Sequence, residues 1–300
     1  MNGKNTLFYK GISGFTARNH FELLMKASES PYRWWFEALR CSKDYWWVCR
    51  QRGKTLDPDL KRVWKAFGDV LSKDFAQWWI HTGYALFQEQ MSPPKIERMD
   101  EETVRYQLRN RERMLLSVPL NISEKSLKKQ FLEIVREIEG RKIRKGDAQF
   151  QLLKVKGIRL KVLESALRVW HMRSMLDYEM AHPAKGQKPI KMDLYDIGAE
   201  LGISPQHKRR AGEPEKDRIL KERVMRVAVI RMTNRAEALI ANAEIGQFPS
   251  YEKVKPRKRW TSEQKKAMDK AVADGKWVSP GVSEINWDRL RQRYVRGEIW

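Results

Sequence analysis

Asp196-Ile197-Gly198-Ala199-Glu200-Leu201-Gly202-Ile203-Ser204-Pro205 reads as the end of one helix, a tight turn and the start of another. Ile197 and Leu201 lie four apart, on one face of a helix. Gly202 can take the positive φ that ends such a helix. Ile203 follows as an apolar plug, Ser204 can cap the next helix, and Pro205 suits a first helical position. Gly198 carries no side chain, so a second helix can approach closely there. The stretch predicts two helices meeting at a corner in a chain that is mainly α.

The same residues resemble the first helix and turn of the bacterial helix-turn-helix family. Its usual text is isoleucine, a small residue, two variable positions, then Leu-Gly-Ile-Ser; Ile197, Gly198, Leu201, Gly202, Ile203 and Ser204 carry the match. In that family the next helix enters the DNA major groove and reads bases with its first residues. The resemblance implies that Gln206, His207, Lys208, Arg209 and Arg210 sit nearest the bases. It weakens beyond that point. The family needs an apolar inner face where this chain offers Lys208 and Ala211, and Gly212 and Pro214 stop a helix within about two turns. Two arrangements stay open: a short recognition helix, or a basic loop over 206–214 with the long helix after Pro214 in its place. A plain helical corner with a basic loop would read the same way.

Working outward, the 300 residues allow one large domain or two to three small ones, and 41% hydrophobic residues suffice for a core. The formal net charge is +22, spread along the whole length rather than held in a tail. Such a chain repels itself and favours a polyanionic partner; a broad basic surface suits nucleic acid, DNA more than RNA. Cys41 and Cys49 form no Cys-x-x-Cys pair, and no metal site is expected. Residues 1–30 lack the apolar core of a secretion signal, and no run of about 18 apolar residues occurs, so no membrane contact and a cytoplasmic location are expected.

The composition divides the chain into four segments. Residues 1–90 read as a tryptophan-rich helical domain, with doublets at Trp34-Trp35, Trp46-Trp47 and Trp78-Trp79. Ser30-Pro31 and Asp57-Pro58 look like helix starts there. The rings read chiefly as an aromatic core; Trp34, Trp46 and Trp78 are the candidates for stacking on bases or anchoring a protein partner, with arginines and lysines interleaved. Residues 91–150 read as a small α+β or connecting segment. It opens at Ser92-Pro93-Pro94, has a small β element near 96–120, then a helix opened by Ser123. Residues 151–249 read as a helical domain holding the helix-turn-helix-like unit, with one helix over about 158–180 and another from Pro214 to about Ala243. Residues 250–300 read as a basic linker and a short helical tail. Trp260, Thr261, Glu263 and Trp287 make that tail similar to the opening of a Myb or SANT repeat, and the chain stops at Trp300 before a third helix.

No phosphate-cradling glycine loop, zinc-protease helix or nucleophile elbow occurs, so no catalytic residue and no cofactor is expected. Asp57/Asp59 and Asp193/Asp196 look like helix starts, where acids suit the dipole. The expectation is therefore a multi-domain, non-enzymatic DNA-binding protein, a transcription regulator or accessory factor of a mobile element or phage. Gln206 to Arg210 would face bases; Arg218, Arg223, Lys253, Lys255, Arg257, Lys258 and Arg259 would face phosphates. The competing expectation is an interaction protein or assembly subunit that meets RNA or an acidic protein.

Overall fold

The computed structural model describes residues 20–88, 118–119, 121–137, 148–153, 159–183, 185–278 and 287–296, and almost all of its regular structure is helical. The β element expected near 96–120 lies outside the described residues, apart from 118–119, which form no strand. Among the described residues β pairing is limited to an isolated parallel bridge between Leu152 and Phe248.

Local chemistry sets the helix starts. Ser30 caps α2 (Pro31–Arg40) by accepting from the Tyr32 N–H, with Pro31 in the first turn. Ser42 caps α3 (Lys43–Arg50). Asp57 caps α4 (Pro58–Phe67), again with Pro in the first turn. Before them comes α1 (His20–Ser28). After them, α5 (Phe75–Trp78), a π-turn over Trp79–Gly83 and α6 (Tyr84–Phe87) form one broken rod, opened by Asp74, whose side chain accepts from the Gln77 N–H.

The chain groups into two compact units, Met1–Gln90 with Ala148–Trp300, and Met91–Asp147. In the second unit the described helix is α7 (Glu124–Glu137), where the Ser123 hydroxyl accepts from the Ser126 N–H at 3.3 Å. The first unit continues with α8 (Leu160–Ala181), α9 (Leu194–Glu200), α10 (Glu215–Glu244), α11 (Ser262–Ala273) and α12 (Trp287–Val295). The tryptophan-rich segment does not stand apart from the chain beyond residue 148. One hydrophobic core joins Trp35, Phe36, Trp78 and Trp79 to Leu163, Leu167, Leu239, Ala243, Phe248, Trp260 and Met268.

The reason is the burial of α2 on several sides. Tyr32, Trp34, Trp35, Phe36, Ala38 and Leu39 are all buried, so both rings of a doublet point into protein. Trp35 stacks on Phe248 with centroids 5.4 Å apart, and its indole N–H donates to the Ala243 carbonyl at 3.4 Å. An apolar strip one helix wide would leave the next ring outside; a helix surrounded by α1, α8 and α10 does not. The tail is drawn in too. Trp260 is buried and its indole N–H donates to Asp44 Oδ1 at 2.8 Å, so the segment that resembles a Myb opening packs on α3.

A second, smaller cluster holds Val169, Met172, Leu176, Ile190, Ile197, Val229 and Leu290. The long α10 spans both clusters. Val229 serves the second, and Ala236, Leu239, Ile240 and Ala243 serve the first. No helix among the described residues is long and apolar enough to cross a membrane.

Candidate nucleic-acid interface

The corner that organises the sequence is built as its residues direct. Asp193 caps α9, and Asp196 returns the bond to the cap N–H, forming a reciprocal capping box. The two carboxylates diverge: burial pushes Asp196 up to about 6, while the Asp196 N–H and Arg226 outweigh burial at Asp193 and hold it low. Gly198 faces α10 so closely that an added Cβ would lie 2.6 Å from Met225 Sδ and 2.9 Å from Val229 Cγ2. Gly202 has φ +63° and ends the turn.

Beyond the turn the chain departs from the helix-turn-helix pattern. Pro205–His207 form a single 3-10 turn, and the Ser204 side chain makes no capping hydrogen bond. The Gly212 and Pro214 breaks leave too few residues to repay helix nucleation, and no helix covers 208–214. Of the two arrangements, the basic loop followed by a long helix is the one found.

The fate of each candidate depends on its neighbours. Gln206 and Lys208 are exposed, and His207 is half-buried with Nδ1 lacking a hydrogen-bond partner among the described residues. Arg209 is turned onto the protein. Its guanidinium lies 4.0 Å from the Tyr195 ring centroid and 2.8 Å from Glu222, and the Arg209 backbone N–H donates to the Tyr195 hydroxyl at 2.7 Å. Arg210 is exposed, with its N–H on Glu213 Oε1 at 3.2 Å. Arg218 is paired with Glu215 and Glu222, at 3.7 and 3.9 Å. Arg223 is exposed.

In the linker, Lys253, Lys255 and Lys258 are exposed. Arg257 is exposed but bonded to Asp59 and 3.5 Å from Asp57. Arg259, expected to face phosphate, is instead turned inward. Its side chain is 13% exposed and pairs with Asp44 and Glu244 at 2.5 Å each and with Asp57 at 3.6 Å. The acids at the starts of α3 and α4 face this segment and hold Arg257 and Arg259.

Trp34, Trp46 and Trp78 are likewise corrected as stacking platforms. They are 8%, 7% and 1% exposed, and the Trp78 indole N–H is taken by the Phe67 carbonyl at 2.8 Å. Arg33 and Arg50 do lie over the Trp34 and Trp46 rings, at 5.7 and 5.5 Å, so the interleaved cations cover those faces themselves. Rings that remain half-exposed sit elsewhere. Trp170, Tyr178 and Trp277 line a cleft of about 530 Å³ between α8, α10 and the end of α11, with Arg173, Asp177 and Glu237 on its walls. Both tryptophans are solitary in sequence, and the doublets drew the expectation away from them.

The basic groups left exposed fall in two parts of the chain, around the start of α10 and after its end. Lys208, Arg210 and Arg223 lie beside the first half of α10, with Glu222 at the centre of the ion pairs there. Lys253, Lys255 and Lys258 come after its end, where Asn242 donates to the Glu252 carbonyl at 2.7 Å and Glu244 holds Arg259. From residue 222 to residue 244 a helix rises roughly 33 Å. Among the described residues no group of three or more His, Cys, Asp or Glu is placed to hold a metal ion. No family model, curated protein or solved structure matches the chain.

Proposed function

We propose that this chain is a nucleic-acid-binding protein that grips the phosphates of duplex DNA through two basic clusters held a fixed distance apart by α10. One observation carries the reading. Lys208 and Arg223 at one end, and Lys253, Lys255 and Lys258 at the other, stay exposed and have no acidic partner among the described residues. The stretch of α10 from Glu222, which pairs with Arg209 and Arg218, to Glu244, which pairs with Arg259, rises roughly 33 Å, close to one turn of B-form duplex, about 34–36 Å, at which the backbone returns to the same side. The contacts are positional rather than sequence-reading, because no short helix presents Gln206 to Arg210 to base edges. A role as regulator or accessory factor of a mobile element rests on the charge and the helix-turn-helix resemblance.

The test is a titration of duplexes of about 6, 12 and 18 base pairs at two salt concentrations. The expected result is a steep salt slope and a sharp gain in affinity once the duplex exceeds one helical turn. Equal affinity per base pair at all three lengths would remove the two-cluster geometry. No binding at low salt would remove the nucleic-acid reading altogether.

A further inference from the structure

Although α10 is a core helix on one side, its other side is apolar as well. Ile219, Leu220, Val227 and Ile230 are 57%, 60%, 40% and 43% exposed. Their spacing places them on one face, opposite Met225, Val229 and Ala236, over three turns and roughly 16 Å of rise. Arg223 stands in the middle of the stripe and Lys216 and Arg231 at its ends, all exposed. No acidic position falls on this face between Lys216 and Arg231.

A solvent-facing helix surface ordinarily carries polar residues, and four large aliphatic side chains in register mark a docking surface. Duplex DNA is a poor occupant, since a phosphate-lined groove gives aliphatic groups little to bury against. A second copy is disfavoured by charge. It would bring the same cations, and no acids, onto a chain that already carries +22.

We propose that this face of α10 docks an acidic amphipathic helix of a partner protein. Its apolar ridge would lie along Ile219, Leu220, Val227 and Ile230, with Asp or Glu set to meet Lys216, Arg223 and Arg231. The surface is small, so the complex belongs with weak, reversible interfaces. The docking face is separate from the residues assigned to phosphate binding, apart from Arg223 at its centre.

The experiment uses the full chain and two labelled peptides of about 20 residues with identical leucine and glutamate content. One peptide places its leucines on a single helical face; the other scrambles them. The amphipathic peptide is expected to bind at least tenfold more tightly. Leu220→Gln with Val227→Gln, which leaves the charge unchanged, is expected to abolish that advantage while the unfolding midpoint and duplex affinity stay put. Equal binding of both peptides, or an unaltered advantage in the double variant, would overturn the proposal. So would a wild-type dimer in sedimentation that the double variant turns into monomer, because a second copy would then be the occupant. Stripe-dependent co-sedimentation with vesicles of phosphatidylserine and phosphatidylcholine, with no peptide preference, would assign the face to lipid instead.

Discussion

Arg259 Nη1 lies 2.5 Å from Glu244 Oε2, joining the segment after α10 to the last turn of α10 itself. The same nitrogen is 2.5 Å from Asp44, and the Ser42 hydroxyl donates to Glu244 at 2.5 Å. The Arg259 carbonyl accepts from the Leu56 N–H and the Thr55 hydroxyl, at 2.9 and 2.8 Å. One cation therefore ties together the starts of α3 and α4, the end of α10 and the tail.

Arg259→Met should destabilise the chain by about 3 kcal/mol, since it strands buried carboxylates without a counter-charge. Adding Glu244→Gln should recover part of the loss, because the two changes share one interaction. Urea unfolding of the two single variants and the double variant measures both. Strict additivity would show that the pair is not coupled.

The pH dependence of stability should carry the mark of Glu37. Burial raises its carboxyl from 4.5 to about 7, against the lowering influence of Arg40 and Arg33. The folded chain then keeps a proton that the unfolded chain sheds, so this stabilisation is complete below pH 4.5 and fades as pH rises through 7. Glu37→Gln should therefore be the more stable protein at pH 8, by up to about 3 kcal/mol, and nearly equal to wild type at pH 4.5. His171 acts in the opposite sense: burial lowers it from 6.5 to about 4, so its contribution is present above 6.5 and lost on acidification. The two offset each other between pH 4.5 and 6.5, and the Gln variant should expose the acid sensitivity of His171 there. Thermal unfolding across that range decides it.

Two glycines in one corner should fail for different reasons. At Gly198 a methyl group would crowd Met225 and Val229, and Gly198→Ala should cost about 1–3 kcal/mol through overpacking. At Gly202 a Cβ meets nothing within 4 Å, but φ is +63°, so Gly202→Ala should cost only about 1 kcal/mol of backbone strain. Gly202→Asn, which tolerates that φ, should recover most of the loss, while Gly198→Asn should be worse than Ala. Denaturant midpoints for the four variants give the ranking.

The salt dependence of duplex binding should sort the linker cations. Replacing Lys253, Lys255 and Lys258 with Gln should lower the slope by roughly 0.9 for each phosphate no longer neutralised. Arg257→Gln should change it little, because its guanidinium is already held by Asp57 and Asp59. An equal effect of all four would show that Arg257 leaves its acids on binding.

Much of the helical layout can be read from short-range chemistry. Ser30-Pro31, Asp57-Pro58, Asp193 and Thr261 mark helix starts, because a cap depends on its own side chain and the next three residues. Gly198 and Gly202 announce close approach and a left-handed turn for the same reason: both properties belong to the residue itself. Only the tertiary structure decides which neighbour a side chain meets. Trp34, Trp46 and Trp78 are consumed by a core assembled from residues up to some two hundred positions away, as the Trp35 to Ala243 bond illustrates. Arg259 reads as one more cation in a basic run, and only the arrival of Asp44, Asp57 and Glu244 makes it a buried clasp. Caps and turns are local energies written in adjacent letters, whereas burial and ion pairing depend on long-range packing that one sequence does not display.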